Sequence, residues 1–570
     1  MLCSVLIYAR WIRRGMPCWR PGPGVDHSDA GRRNSIRYKN LDFRSGVAHA
    51  LRPLLTVRSI RARQFVPMKT LLFQLTFLLP FAALHAVEKP NFVLINIDDL
   101  GYADIGAFGS KLNRTPHLDR MAEEGRKLTC FYTAPVCSPS RAALMTGCYP
   151  KRVLPIGGVL FPSAAVGLNP EEHTVAELLK NAGYSTGCIG KWHLGDQREF
   201  LPRNQGFDYY LGLPYSNDMG PAEDGSKSSL GERLPQPKGT SGPDDDDMGI
   251  RSGARQPPLP LIENQNVIAR VTPDEQQGIV RRYTEAALKF IQENQDKPFF
   301  LYLPHTAVHG PHYPGKQFAG KSAHGFYHDW VEEVDWSVGQ VLELLRSLNL
   351  DGKTLVVFTA DNGGTKHGVN APLRGFKATT WEGGMRAPTI AWWPGKIPAG
   401  SSTDEITGMF DLLPTFVKLA GGTLPSDRKV DGGDIWPLLA GHAGAMSPHD
   451  VFYYFRGLKL EGVRSGPWKL RLASAAETVD GTKEKAGEDL LYNLDADIGE
   501  TRNVAAENPG VVKRLRTLVE ATQDDLGLNG IGPGVRPLGH VDHPEPILSK
   551  EDRVRADFVD AREKRTANAP

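Results

Sequence analysis

Apolar residues along this chain fall into two kinds of run. The first kind is short and almost unbroken. Residues 92–97 read Phe-Val-Leu-Ile-Asn-Ile, residues 298–303 Pro-Phe-Phe-Leu-Tyr-Leu, and residues 354–359 Thr-Leu-Val-Val-Phe-Thr. Runs of this length, rich in β-branched and aromatic residues, predict strands buried on both faces. A shorter strand is expected at residues 186–189. The second kind of run returns every three or four positions. Tyr327, Trp330, Val331, Val334, Val338, Val341, Leu342 and Leu345 mark one face of a long helix. Thr174 and Glu177 form a capping box that opens a helix to Asn181, with Gly183 as its stop. Pro116 opens another that ends near Gly125. Helical patterns also run from Pro273 towards Gln292 and over residues 411–419. Strands alternating with helices predict an α/β fold. From Val451 the texture changes. Residues 451–455, 461–472 and 489–494 read as antiparallel strands with turns between them, and a helix from Pro509 to about Thr522 should pack on them.

A chain of 570 residues exceeds one ordinary domain. The patterns divide it into a large α/β domain over residues 88–425, a smaller α+β domain over 426–527, and a polar tail over 528–570. The N-terminus reads differently. A basic start at Met68-Lys69, a short apolar core and a small residue at Ala86 predict a signal peptide over residues 68–86. Gln74, Thr76 and Pro80 interrupt that core, which argues against a membrane span. Residues 1–67 are Arg-rich and patternless: either an upstream start chosen wrongly or a targeting extension. With 67 Lys and Arg against 65 Asp and Glu, no basic excess suggests a nucleic-acid partner. Six cysteines fall to four after residue 86, too few for a disulfide framework. No second long apolar segment follows, so export without integral membrane association is expected. Residues 220–262, rich in Gly, Pro, Ser and Asp, predict a long surface excursion. Within it Asp244 to Asp247 read as a solvated acidic loop or a cation site. Asn113-Arg114-Thr115 is formally a glycosylation sequon.

The buried strands end in polar chemistry. Asp98-Asp99 follows the first, and reads either as a solvated acidic turn or as two carboxylates sharing a cation. Asp361-Asn362 follows the strand at 354–359. Together these four offer oxygen donors without thiolate or imidazole, which suits Ca²⁺ or Mg²⁺. Lys191 and His193, two apart in an extended segment, point the same way. They read as a surface Lys beside a satisfied His, or as paired donors for a sulfuryl or phosphoryl group. His305 and His309 follow a third strand, as ordinary loop residues or as acids and ligands. Lys377 sits in a Gly-bounded loop over residues 374–384. Cys137 is placed at the mouth of a helix, with Ser138 as the expected N-cap, Pro139 as the first helical residue and Gly147 as the stop. Free backbone N–H groups, the helix dipole and Arg141 one turn on would favour an anion there, whether a thiolate or a bound oxyanion. The alternative is a small buried cysteine beside an ordinary helix.

The run Cys137-Ser138-Pro139-Ser140-Arg141, with Thr146-Gly147 after it, resembles the modification motif of the sulfatase family. In that family the cysteine is oxidised to formylglycine (3-oxoalanine). Met145 and Cys148 are mild departures from the pattern. Segments 97–102, 190–195, 213–216, 298–302 with His309, 359–363 and 377–384 extend the resemblance from Pro90 to about Asn503. It is closest to the arylsulfatase A-like and N-acetylgalactosamine-6-sulfatase-like branch. The resemblance implies an alkaline-phosphatase-like fold: a large mixed sheet between helices, then a small four-stranded antiparallel sheet. It implies that Asp98, Asp99, Asp361, Asn362 and the modified Cys137 bind one divalent cation, in the family usually Ca²⁺, with Mg²⁺ as the alternative. Arg141, Lys191, His193, Ser216, His309 and Lys377 would surround the sulfate. His309 stands at the family's spacing, which leaves His305 as a secondary substrate contact. The implied reaction is hydrolysis of a sulfate monoester by the formylglycine hydrate through a sulfated enzyme. Asp361 would be the base, His309 and Lys377 would assist the leaving oxygen, and His193 would take the proton that releases sulfate. The implied partners are a sulfated small molecule or glycan and a sulfatase-maturing enzyme, and the implied location is the periplasm or the medium, ahead of a lysosome-like compartment. Two rivals stand beside this: a phosphate or phosphonate monoester hydrolase on the same fold, and a non-catalytic protein that binds sulfated glycans.

Overall fold

The computed structural model describes residues 89–234, 256–473, 478–479, 482–483 and 487–559. The upstream segment 1–67, the signal peptide 68–86 and the Asp244 to Asp247 run lie outside the described residues.

Strand β1 (Asn91–Ile97) is buried at every position. Its neighbours explain why the apolar run is unbroken: it is hydrogen-bonded on both edges, and helices cover both faces. In chain order the other strands of the large sheet are β2 (Arg126–Tyr132), β4 (Ser185–Ile189), β5 (Tyr209–Gly212), β6 (Pro260–Glu263), β7 (Asn266–Arg270), β8 (Phe299–His305), β9 (Thr354–Ala360), β10 (Arg386–Trp392), β11 (Ser401–Thr403) and β12 (Thr407–Gly408), while β3 (Val166–Gly167) lies outside it. The order across the sheet is β11-β2-β10-β9-β1-β8-β4-β5-β6-β7, with β12 beside β2. Strands β9, β1, β8, β4 and β5 are mutually parallel, and β10 and β6 flank them antiparallel. The parallel strands therefore all deliver their C-terminal ends to one edge, where ligands bind in open α/β sheets.

The helices used below are α1 (Pro116–Glu124), α2 (Cys137–Thr146), α3 (Pro150–Val153), α4 (Val175–Asn181), α5 (Pro273–Gln277), α6 (Ile279–Asn294) and α7 (Phe326–Ser347). The capping box at Thr174 and Glu177 is present in both of its bonds. The single helix expected from Pro273 is two, broken at Gly278, a poor residue for a helix interior. Seven strands of the large sheet escaped the sequence pattern: β2, β5, β6, β7, β10, β11 and β12. Of these β6, buried at Pro260, Leu261 and Ile262, ends the stretch expected to be a surface excursion. In β2, Arg126 and Lys127 hide the apolar end. In β10, Pro388 argues against a strand, yet it falls where the pairing with β2 slips between Ala387 and Thr389. A bulge needs no ladder N–H at that point.

The C-terminal sheet has four antiparallel strands in the order β13 (Phe452–Arg456), β14 (Lys459–Ser465), β15 (Trp468–Arg471), β18 (Leu490–Asn493). The expected strand at 461–472 is the β14–β15 hairpin, turning at Gly466. A short ladder, β16 (Thr478–Val479) with β17 (Thr482–Lys483), lies between β15 and β18. The helix at Pro509–Ala521 packs on β14 and β15. The described part of the tail is draped over the large sheet's region: β19 (Gly539–His540) pairs with β3, and Ile547, Leu548 and Phe558 are buried.

Asn113 cannot present its sequon. Its Nδ2 donates to the Asp104 carbonyl at 2.7 Å, and its Oδ1 lies 2.7 Å from His328 Nδ1. Cys130, Cys137, Cys148 and Cys188 are all buried and free. Among the described residues no helix is long and apolar enough to cross a membrane.

Candidate active site

Helix α2 starts two residues earlier than the capping pattern predicts. Val136 is the N-cap residue, and Cys137 is already helical. Ser138 does not cap; its Oγ accepts the Leu160 N–H at 3.1 Å. Ser140 Oγ accepts from Ala134 N–H and bonds the carbonyls of Ala134 and Val136. Pro139 is tolerated because first-turn N–H groups have no helical acceptor. Gly147, at φ +69°, ends the helix as expected.

The ends of β1 and β9 bring the carboxylates together. Asp98, Asp99, Asp361 and Asn362 are all essentially inaccessible. Asn362 Nδ2 donates to Asp99 Oδ1 at 2.8 Å. Asp361 Oδ1 lies 3.4 Å from the Asp99 N–H. Cys137 Sγ is 3.5 Å from Asp98 Oδ1. Donor atoms of Asp98, Asp99, Cys137 and His309 all lie within 4.8 Å of one another.

Three cations meet the three carboxylates. Arg141, fully buried, gives two bonds to Asp361 Oδ2 at 2.7 and 3.0 Å and a longer one to Asp98 at 3.4 Å. Lys191 pairs with Asp98 and donates to Ser216 Oγ at 3.0 Å. Lys377 is 2.8 Å from Asp99 Oδ1. Gly190, just before Lys191, has φ +136°, and a Cβ there would stand 1.8 Å from the Pro304 carbonyl. Only glycine lets the chain leave β4 so close to β8. Burial works against the charge of Asp98, but Lys191, His309 and Arg141 hold its carboxyl well below the usual range. Asp361 goes the other way, raised by burial and by the Asp98 charge.

The environment of Cys137 differs from the anion-favouring one expected from the helix mouth. Burial, and then the Asp98 charge, push the thiol far above its ordinary value, outweighing Lys191 and Lys377. As a plain thiol Cys137 is protonated and a poor nucleophile at neutral pH.

Three histidines end in different places. His309 Nδ1 lies 2.7 Å from the Gly310 carbonyl and 3.4 Å from Ser216 Oγ, and its Nε2 is 3.6 Å from Asp99 Oδ2. His193, at φ +63°, has Nε2 2.9 Å from the Leu160 carbonyl, which fixes the proton there. Its Nδ1 is buried with no protein partner. His305 does not join the cluster. As the last residue of β8 it faces the helices, bonding Ser337 of α7 at 3.1 Å and packing against Tyr283 of α6. Its ring is taken up by α6 and α7 and not by the Asp98 cluster, so the expected substrate contact falls away.

One acidic residue here was missed. Asp218 lies two residues past Ser216, with Oδ1 buried and unpartnered. Burial opposes its charge, yet His309 and Lys191 hold its carboxyl below the usual range. Ser216 and Asp218 stand on a turn closed by the Met219 N–H to the Ser216 carbonyl at 3.0 Å, so no strand or helix period pointed to Asp218.

The donor set fits a hard divalent cation. Three carboxylates converge, and Asn362 Oδ1 is buried with no protein donor, an acceptor left for something else.

Two family models match this chain. Sulfatase covers residues 90–422, and the C-terminal region of aryl-sulfatase covers residues 447–529. With strand ends, cations and Cys137 arranged as above, the chain belongs to the sulfatase family and is a sulfuric ester hydrolase of the arylsulfatase type. It is 39% identical to arylsulfatase A of Homo sapiens over 468 residues, 77% of this chain and 88% of that one. It is 37% identical to N-acetylgalactosamine-6-sulfatase of Canis lupus familiaris over 410 residues, 68% of this chain and 72% of that one. Among solved structures, a sulfatase from Pseudoalteromonas sp. aligns with a TM-score of 0.67 at 27% identity, over 79% of this chain and 92% of that one.

Proposed function

We propose that this enzyme hydrolyses sulfate monoesters of aryl or sugar alcohols, with Cys137 matured to formylglycine and Ca²⁺ held by Asp98, Asp99, Asp361 and Asn362. The observation that carries the reading is the gathering of Cys137 with Asp98, Asp99 and His309 at the common end of the parallel strands. When bound, the cation would draw charge from the sulfate oxygens, and the formylglycine hydrate would supply one hydroxyl for attack on sulfur and a second for release.

The chain's own groups then divide the work. Lys191 and Ser216, linked at 3.0 Å, are placed to bind sulfate oxygens. Asp361 is the candidate base, kept in place by the two bonds from Arg141. His309 Nδ1–H is committed to the Gly310 carbonyl, so in the imidazolium form the second proton sits on Nε2, which faces Asp99 and the cluster and is the proton passed to the leaving oxygen. Lys377 stabilises charge on that oxygen. In His193 the unpartnered Nδ1 is the atom free to accept the proton that frees sulfate. Lys191, Ser216, Asp361 and His193 are almost inaccessible, which strengthens their electrostatic contacts, while His309 and Lys377 are partly exposed.

A sulfated sugar is supported by the relative whose name is N-acetylgalactosamine-6-sulfatase, and an aryl sulfate by arylsulfatase A. The proposal includes export to the periplasm or medium and a maturing enzyme as partner. The test is mass spectrometry of the tryptic peptide 128–141 with an aldehyde-reactive probe. Aldehyde at residue 137 and intact thiol at Cys130, together with turnover of an aryl sulfate, is the expected result. A free thiol at Cys137 in fully active protein would overturn it.

A further inference from the structure

The C-terminal sheet reaches the active site through one strap. Residues 374–385 run from beside the Asn362 corner to β10 and carry Lys377. The strap's inner side is fixed to the site. Lys377 N–H donates to the Gly364 carbonyl at 3.0 Å, and Ala378 N–H to the Pro135 carbonyl at 2.7 Å, two residues before Cys137. Gly363 N–H donates to the Gly384 carbonyl at 3.1 Å. The approach is so close that a Cβ on Gly363 would stand 1.8 Å from the Gly383 carbonyl.

Its outer side is gripped by the small sheet. Lys469 of β15 is fully buried; it donates to the Thr380 carbonyl at 2.9 Å and pairs with Glu382 at 2.9 Å and Glu500 at 2.7 Å. Glu500 accepts the Glu382 N–H at 2.8 Å. Glu461 of β14 accepts the Thr380 hydroxyl at 2.9 Å. Trp381 lies between two guanidinium groups, Arg374 at 3.8 Å and Arg471 at 4.1 Å from its ring centre. Ala378, next to Lys377, has φ +69°. A residue with a Cβ keeps that conformation only where its surroundings over-determine it.

We propose that this buried clamp, centred on Lys469 and Glu500, positions Lys377: the small sheet sets where the Lys377 ammonium stands relative to the departing ester oxygen. Two of the clamp's bonds end on strap backbone, at Thr380 O and Glu382 N, so they fix the main chain from which Lys377 projects. The contact also buries apolar surface, Trp381 against Tyr492 and Leu494, but its buried ions are bonded to the strap's main chain. Lys469 and Glu500 are positioning residues, not catalytic ones, and their assignment rests on the leaving-oxygen role given to Lys377 above.

The test uses full-length, matured enzyme and two substrates, phenyl sulfate and 4-nitrophenyl sulfate. The poorer leaving group needs charge stabilisation more, whereas a fraction of unfolded chains lowers both rates equally. Lys377→Met is the reference. Lys469→Met/Glu500→Gln removes one cation and one anion together, Thr380→Val is milder, and Arg516→Ala, at an exposed pair on the same small domain, is the control. The clamp variant should lose about tenfold more kcat/KM on phenyl sulfate than on the nitro ester, since misplacement by about 1 Å can cost up to ~10²-fold. Adding it to Lys377→Met should not change the ratio further. Equal losses on both esters, with Lys377→Met still selective, would overturn the clamp alone. Equal losses in Lys377→Met would overturn the role of Lys377 and the clamp with it, and an inactive wild type carrying the aldehyde would overturn the sulfatase mechanism. If the double variant fails to fold, Thr380→Val decides by the same ratio.

Discussion

Two clusters of buried charge lie on either side of one loop. Around Asp98 stand Arg141, Lys191, Lys377, Asp99 and Asp361; around Glu382 stand Lys469, Arg386, Arg464 and Glu500. The residue types match, and apart from the partly exposed Lys377 both clusters are nearly inaccessible. They differ in what is left over. Glu382 accepts from Tyr132 and Tyr454 at 2.7 Å each, from Lys469 at 2.9 Å, and from Arg386. At the other cluster, Asn362 Oδ1 and His193 Nδ1 have no protein partner, and Asp99 and His193 both have positive φ. Buried charge alone marks a joint as readily as an active site. Positive φ does not separate the two, since Glu500 at the joint stands at φ +51°. What separates them is that Lys469 stands within 2.9 Å of both joint carboxylates, whereas Asn362 Oδ1 and His193 Nδ1 have no protein hydrogen-bond partner.

The sharpest way to break this contrast is at Cys137. Cys137→Ala should lower turnover of an aryl sulfate by roughly 10³-fold or more, while urea denaturation shows a stability change of only about 1 kcal/mol. The reverse is expected at the joint. Lys469→Met leaves buried carboxylates uncompensated and should cost about 3–5 kcal/mol in the same denaturation experiment. Next comes metal linkage. After treatment with a chelator, Ca²⁺ at a hundred times its Kd should add about 2.7 kcal/mol to the stability of the wild type. Asp99→Ala should lose that gain and Arg516→Ala should keep it.

A smaller effect concerns His305, whose imidazole burial pushes down to about 3. Between that value and about 6.5 the unfolded chain binds a proton that the folded chain refuses. Stability should therefore be full above about pH 6.5 and fall as the pH drops, by up to about 1.4 kcal/mol per pH unit from this group. His305→Gln should flatten that slope in denaturation curves taken between pH 7.5 and 4.5. The smallest effect is at the exposed Arg516–Asp489 pair, where Arg516→Ala should change stability by less than about 1 kcal/mol.

The fold's centre was legible because parallel strands buried on both faces need unbroken apolar runs, and β1, β8 and β9 have them. Their polar ends were legible for the same reason: where the run stops, the sheet edge begins. Strands β2 and β10 were not, since two basic residues and a proline at a bulge disturb the pattern. At the site, the candidate acidic ligands and Lys191 stood at strand ends, whereas Arg141 came from the helix mouth and Lys377 from the Gly-bounded loop, with their roles implied by the sulfatase resemblance. The cap assigned to Ser138 failed because a distant N–H, that of Leu160, takes its hydroxyl. His305 failed because one residue of strand length decides whether a side chain faces a helix or a pocket. The Lys469 clamp joins residues some 90 positions from Thr380 and Glu382, and no local pattern announces such a pairing.

The position of β1 has a consequence for how the protein is made. It is the first strand of the sheet and lies at its middle, yet β8 begins at Phe299 and β9 at Thr354. At ~5–20 residues per second, the ribosome needs roughly 10 to 50 seconds to supply those two neighbours. Through that interval a seven-residue apolar strand waits with both edges open, a template for pairing with other chains. Expression yield should therefore respond to growth temperature and chaperone supply before it responds to any change on the surface.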